Sequence, residues 1–483
     1  MNATHDYPEL ALHVGGRWIT HTDAGVLDVI DPASGDRLAT LPLAGADEAA
    51  AAFEAAGRAQ PKWAALSPLA RQQILVRGTA LLRERAARIA HVMTQEQGKP
   101  LAESEREVLL AADIIDFLAE EARRQGGRLV PPRGGPITSQ SVHRVPVGPV
   151  AAFTPWNFPI NLPARKLGGA LAAGCTVVLK PAEETPASAQ LLVQALLDGG
   201  LPEGVLNLLF GHPAQVSAAA VANPWIAKLS FTGSTAVGRS LAAQCGQALK
   251  RFTGELGGHA PVIVCDDADV PAAVAALVSA KFRGAGQVCT APTRLLVQRR
   301  IHAAFTDAFV AAASALRVGP GLQPGVQMGP LIAARRVEFM QVLVDDAVAL
   351  GGTLLCGGKP LPGSGFFYPP TVLADVPTSA RAQREEPFGP LAMIDAFDDI
   401  DEALTRANAL PQALAAYAFT RDLQRAHRLG QGLRAGMVGI NHCGLSQPET
   451  PFGGQGDSGI GGSESGLEGL LSYTETRLLS VAA

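Results

Sequence analysis

Residues 227–238 read AKLSFTGSTAVG. A short apolar run enters Thr-Gly-Ser and then a helix-forming segment, the pattern of a strand, a tight turn and a helix. The first amides of such a helix can cradle a pyrophosphate. Glycine at a strand–helix turn, however, is often there for geometry alone, and no well-placed G-x-G-x-x-G accompanies it. The neighbours of this stretch decide the fold. Upstream come PVAAFTPW (149–156), an Ala/Gly-rich helix, TVVLKP (176–181), a helix from about Pro186, VLNLLF (205–210) and another helix; downstream come a helix and KRFTGEL (250–256). Strands alternating with helices of this length imply βαβ units and a parallel sheet covered on both faces. A second α/β series runs from APVIVCDDADV (260–270) through the helix AAVAALVSAKF and the strand TRLLVQ to about residue 440.

The flanks read differently. LALHVGGRWI, VLDVIDP and RLATLPL suggest short strands, followed by an alanine-rich helix. Two longer helices come next, the first opened by Ser67-Pro68 and closed by Gly98, the second amphipathic over 100–124. Residues 125–145, QGGRLVPPRGGPITSQSVHRV, suggest an extended hairpin standing off the domain, and the tail LSYTETRLLSV is again strand-like.

At 483 residues, the chain calls for two or three domains. A composition 47% hydrophobic and 17% charged is that of an ordinary globular protein, and a net charge of −4 without a basic run gives no reason to expect nucleic acid. No basic leader with an apolar stretch opens the chain, and no apolar run reaches membrane-spanning length, so no membrane association and a cytoplasmic location are expected. The six cysteines are scattered and the ten histidines form no H-E-x-x-H, which argues for reduced thiols and against a metal site.

Seven motifs follow one another: PWNFP (155–159), KPAE (180–183), FTGS (231–234), ELGG (255–258), GQVC (286–289), EPFGP (386–390) and PFGG (451–454). In this order and spacing they resemble the aldehyde dehydrogenase superfamily over nearly the whole chain. The resemblance implies an α/β aldehyde dehydrogenase fold in three parts. A Rossmann-like cofactor-binding domain would span 1–124 and 146–255, an α/β catalytic domain 256–469, and a small β oligomerisation arm 125–145 and 470–483. It also implies a homodimer or homotetramer that oxidises a small aldehyde to the acid with NAD or NADP.

Site residues follow from the same resemblance. Cys289, in KFRGAGQVCTAPTR (281–294), matches the nucleophile; an unplaced cysteine would more often be inert core filler. Its attack on the aldehyde carbon leads through a thiohemiacetal and a thioester. Asn157 matches the side-chain donor to the developing oxyanion, beside the Cys289 backbone N–H. Glu255 matches the general base; relatives that pass the acyl group to coenzyme A generally lack it, so water is the implied acceptor. Thr154, Pro155, Gly233 and Ser234 would lie along the cofactor, with Trp156, Lys180 and Glu183 at the adenosine ribose and Leu256, Glu386 and Phe388 at the nicotinamide half. Glu183 would accept hydrogen bonds from both ribose hydroxyls and repel a 2′-phosphate, so NAD is expected to be preferred, with NADP possible. Two departures from the family, His259 after ELGG and Gln455-Gly456-Asp457 after PFGG, are expected to bear on oligomer contacts.

Arg165, Arg283 and Ser446 match the carboxylate-binding triad of succinate semialdehyde dehydrogenases. Guanidinium groups can grip a carboxylate through paired hydrogen bonds, which makes succinate semialdehyde the expected substrate. The alternatives are another ω-oxo acid, such as 2-oxoglutarate or glutarate semialdehyde, or an uncharged or aromatic aldehyde; from a different class, a non-catalytic structural member of the fold.

Overall fold

The computed structural model describes residues 7–482. Residues 1–6 and 483, which the sequence reading gives to the cofactor-binding domain and the arm, lie outside the described residues. Five parallel strands form the heart of the first sheet: β1 (Val150–Phe153), β2 (Val177–Lys180), β3 (Leu206–Leu208), β4 (Lys228–Thr232) and β5 (Arg251–Glu255). They stand in the order β3-β2-β1-β4-β5. β1 to β4 are buried at every position, as expected of strands covered by helices on both faces. The strand order reverses between β1 and β4, whose register runs from Lys228↔Val150 to Phe231↔Phe153. A crevice opens beyond the carboxyl ends of strands at such a point, and here Thr154-Pro155 and Gly233-Ser234 leave their strands side by side.

Antiparallel strands extend this sheet on both edges: Leu12–Val14 and Arg17–Ile19 beside β3, and Gly459–Ile460 beside β5. The last of these comes from the stretch that the sequence reading gives to the catalytic domain. Leu470 and Tyr473 also pack into the core of this first sheet, so the chain returns to it before the arm begins.

The second sheet holds six parallel strands, β6 (Pro261–Val264), β7 (Arg294–Gln298), β8 (Thr371–Ala374), β9 (Leu391–Phe397), β10 (Ala415–Phe419) and β11 (Met437–Ile440), in the order β8-β9-β7-β6-β10-β11, with Thr353–Cys356 antiparallel on the outer edge of β8. Its core is separate and includes Phe282, Phe305, Phe309, Tyr368 and Tyr417. A three-stranded antiparallel sheet of Arg128–Leu129, Ile137–Pro146 and Thr474–Ala482 stands apart from both.

Ser67 caps its helix, its Oγ accepting the Ala70 N–H at 3.2 Å, and Gly98 ends the run at φ 90°. Between them the structure has two helices, Pro68–Glu84 and Ala86–Gln97, where the sequence suggests one. The break falls at Arg85, which leaves helical geometry and pairs with Asp198 at 2.6 Å. No glycine or proline marks this break in the sequence. No helix among the described residues is long and apolar enough to cross a membrane.

Candidate active site

The crevice at the β1–β4 reversal is a cavity of about 550 Å³ that runs down to Cys289. Pro155, Trp156, Gly233, Ser234 and Leu256 line it from the first sheet, and Glu386 and Phe388 from the loop facing them. Ser234 caps the helix Thr235–Gln247, its Oγ accepting the Val237 N–H, so the amide end of that helix faces the crevice. A Cβ on Gly233 would come within 2.5 Å of the Phe231 ring, so the turn has room for no side chain there. The Trp156 and Phe388 rings meet edge-on, with centroids 5.5 Å apart.

Several polar atoms remain buried without a partner in or beside this crevice, among them Thr154 Oγ1, Arg336 Nε and Glu386 Oε1. Native interiors rarely leave such atoms unpaired, and a bound ligand is the simplest partner. The bare turn, the helix amides and the orphaned atoms fit a nicotinamide dinucleotide, which when bound supplies the hydride acceptor. Burial raises the Glu386 carboxyl to about 7, with Gly258, Arg336 and Lys281 opposing.

Lys180 and Glu183 do not line this crevice. They pair with each other at 2.5 Å, and Glu183 Oε1 also accepts the Gly211 N–H at 3.1 Å. Glu183 lines a neighbouring cavity of about 350 Å³, which Arg335 shares with the main crevice. Arg336, beside it, donates to the carbonyls of Pro387 (2.5 Å) and Phe388 (3.2 Å). It thereby holds the loop on which Phe388 takes a φ of 45°. The sequence reading missed both arginines, because no motif surrounds them.

At the deep end, Asn157, Glu255 and Cys289 line the same cavity. The ELGG and GQVC segments are in close contact: a Cβ on Gly258 would lie 2.4 Å from the Cys289 carbonyl oxygen. Asn157 Nδ2 donates to the Gln287 carbonyl at 2.9 Å, leaving its second N–H to point elsewhere and its Oδ1 unpaired. Both carboxylate oxygens of Glu255 are buried without a hydrogen-bond partner. Burial, then the nearby Glu464, raises this carboxyl well above the usual range.

The field at Cys289 departs from what a nucleophile was expected to need. Burial, with Glu386 and Glu255 next, raises the thiol to about 12; Arg283 and Arg165 oppose this without prevailing. With the thiol raised this far, the protonated form is the favoured one at neutral pH.

The residues that the sequence reading gives to substrate binding come together: Arg165, Arg283 and Ser446 line a second cavity of about 390 Å³, which shares Cys289 with the crevice. Arg165 is buried in the helix Asn161–Ala173 and donates to Asn161 Oδ1 (3.0 Å), to Ser446 Oγ (2.6 Å) and to the Ser465 hydroxyl. Its guanidinium carbon sits 4.5 Å from the Phe452 ring centroid. Desolvation lowers it to about 10, so it stays charged at neutral pH. Arg283 makes no ion pair among the described residues and leans on Phe158, 5.7 Å from its ring centroid.

Other supporting residues carry no sequence signal. Lys99 and Glu107 form a buried ion pair at 2.5 Å; Lys99 Nζ also donates to the Asn157 carbonyl at 2.8 Å, and Glu107 accepts the Ile160 and Asn161 amides. This fixes the PWNFP turn and the start of the helix carrying Arg165. Beneath Glu255, Lys166 pairs with Glu464 and donates to Ser230 Oγ at 2.9 Å. His259 proves to be interior, its Nε2 2.9 Å from the Ala382 carbonyl, so an oligomer contact is not its setting. Asp457 pairs instead with Arg239 of the same chain, at 2.9 Å. No group of three or more metal-ligating side chains occurs among the described residues.

A dinucleotide crevice at a switch point, meeting a second cavity at a cysteine, is the arrangement of a dehydrogenase. The chain belongs to the aldehyde dehydrogenase family, whose pattern matches residues 18–479. It is 48% identical to 4-(hydroxymethyl)benzenesulfonate dehydrogenase TsaD1 of Comamonas testosteroni, over 99% of this chain and 98% of that one. It is 43% identical to the succinate-semialdehyde dehydrogenase [NADP(+)] GabD of Escherichia coli K12, over 98% of each. The crystal structure of succinate-semialdehyde dehydrogenase from Burkholderia pseudomallei superposes with a TM-score of 0.96 at 40% identity, over the full length of both chains.

Proposed function

We propose that this enzyme oxidises an aldehyde that carries a distal anionic group, with succinate semialdehyde as the substrate that fits best. The observation that carries this reading is the cavity beside Cys289, in which the buried Arg165 and the half-buried Arg283 face one space and neither forms an ion pair among the described residues. A cation taken out of water without an ion pair is costly, and a substrate carboxylate relieves the cost. Arg165 and Ser446 would hold one edge of that carboxylate and Arg283 the other. Cys289 would attack the aldehyde carbon, with Asn157 Nδ2 and the Cys289 N–H stabilising the oxyanion. Glu255 would take the proton of the thiol and, later, that of the water that opens the thioester.

Replacing Arg283 with Gln is expected to lower kcat/KM for succinate semialdehyde far more than for butyraldehyde. A hydrogen bond between charged partners contributes about 1.5–3 kcal/mol, or roughly one to two decades. Equal losses on both aldehydes would make the arginine structural and would remove the reading.

NAD is proposed as the preferred cofactor. One Glu183 oxygen is held by Lys180 and the Gly211 amide, which leaves the other able to accept from a ribose hydroxyl and to repel a 2′-phosphate. Glu183→Ser is expected to shift the NAD⁺/NADP⁺ ratio of kcat/KM toward NADP⁺ by about tenfold. A wild type that is already faster with NADP⁺ would refute this. The domain division is proposed as read from the sequence with one change, that Gly459–Ile460 and the stretch 470–473 go with the cofactor-binding domain. The arm is proposed to join protomers into a dimer or tetramer, supported by Leu478 and Leu479 standing exposed on its long outer strand.

A further inference from the structure

The cavity beside Cys289 does not end at Arg283. A further cavity of about 380 Å³ adjoins it, and Arg106, Leu110, Phe158, Asn161 and Arg283 line both. The walls of the outer chamber are mainly apolar and include Ala275, Val278, Phe282 and Leu316. Glu103, Arg106, Glu107 and Leu110 recur at spacings of three and four along the helix Leu101–Ala122, so one helix face looks onto this space. The two acids on that face are already occupied. Glu107 is paired with Lys99, and Glu103 Oε2 accepts the Gly284 N–H at 2.9 Å. Arg106, like Arg283, forms no ion pair among the described residues.

We infer that Arg106 is a specificity-determining residue, the outer anchor of an extended anion site that takes aldehydes whose sulfonate or carboxylate stands on a long or aromatic spacer. This rests on the reading of Arg165 and Arg283 as anion anchors. A short ω-oxo acid is held within the inner cavity. A para-substituted ring carries its anion further from the aldehyde, past Phe158 and into the junction where Arg106 and Arg283 both line the wall. Arg106 is itself exposed, at the open rim of the chamber, so a charge-assisted bond from it to a sulfonate is partly screened by water and contributes modestly.

The test compares kcat/KM of the full-length wild type, Arg106→Gln and Arg106→Lys on 4-formylbenzenesulfonate, succinate semialdehyde and benzaldehyde. Arg106→Gln is expected to lose about fivefold on the sulfonate, as befits an exposed ion pair. The other two aldehydes are expected to change less than about twofold, because benzaldehyde brings no anion and the carboxylate of succinate semialdehyde is held by Arg165 and Arg283. Arg106→Lys should recover part of the loss. An equal change on all three aldehydes, or none on the sulfonate in an enzyme that still prefers anionic aldehydes, would overturn the role of Arg106 alone. A wild type indifferent to substrate charge would overturn the underlying anion-site reading, and this inference with it.

Discussion

Cys289→Ala is expected to abolish aldehyde oxidation, by a factor on the order of 10⁴ or more, while leaving the fold intact. Loss of a nucleophile removes the covalent route altogether, and what survives is only the effect of binding and orientation. The substitution trims one sulfur from a half-buried position, so thermal unfolding should move by only a few degrees, about 1 kcal/mol or less of stability. The thiol of the wild type is raised to about 12 by burial and by two nearby carboxylates, and Glu255 is raised as well. Both groups therefore gain protons at higher pH than usual. kcat/KM should accordingly climb with pH through the neutral range and fall as acid protonates the base. Turnover retained in Cys289→Ala would remove the mechanism.

Asn157→Ala should lower kcat by about 10²–10³, the usual loss when one donor to a developing oxyanion is removed, with KM changed much less. The turn itself should hold, because Lys99 grips the backbone carbonyl of residue 157 and not its side chain. The structural cost is the Gln287 carbonyl, which loses a buried donor worth about 1–3 kcal/mol. A variant with wild-type kcat and raised KM would mean that Asn157 only helps to bind the ground state.

What the chain discloses without coordinates is local. The Gly233-Ser234 turn, the Ser67 cap and the Gly98 stop each consist of neighbouring residues, and each can be read directly. The seven motifs gave the proposed reacting set for the same reason: each is a compact run of neighbouring residues. The supporting partners are spread along the chain. Lys99 precedes the carbonyl it holds by 58 residues, and Lys166 lies 298 residues from Glu464. Arg335 and Arg336 enter the crevice from a helix with no motif. The field at Cys289 is the clearest case. The sequence shows Arg283 six residues upstream of Cys289 but not what else surrounds the thiol. The structure adds Glu386 and Glu255 from two other elements, together with burial, and these outweigh both arginines. Electrostatics sums over everything nearby in space, which spacing along the chain does not reveal.

The central claim is that the cavity beside Cys289 selects an anionic aldehyde. The most direct measurement is kcat/KM of the wild-type enzyme with NAD⁺ for succinate semialdehyde and for butyraldehyde, which have the same carbon count and differ in one terminal carboxylate. Two arginines that each contribute about one to two decades lead to a preference of at least about a hundredfold for the acid. Equal values, or a preference for butyraldehyde, would contradict the account.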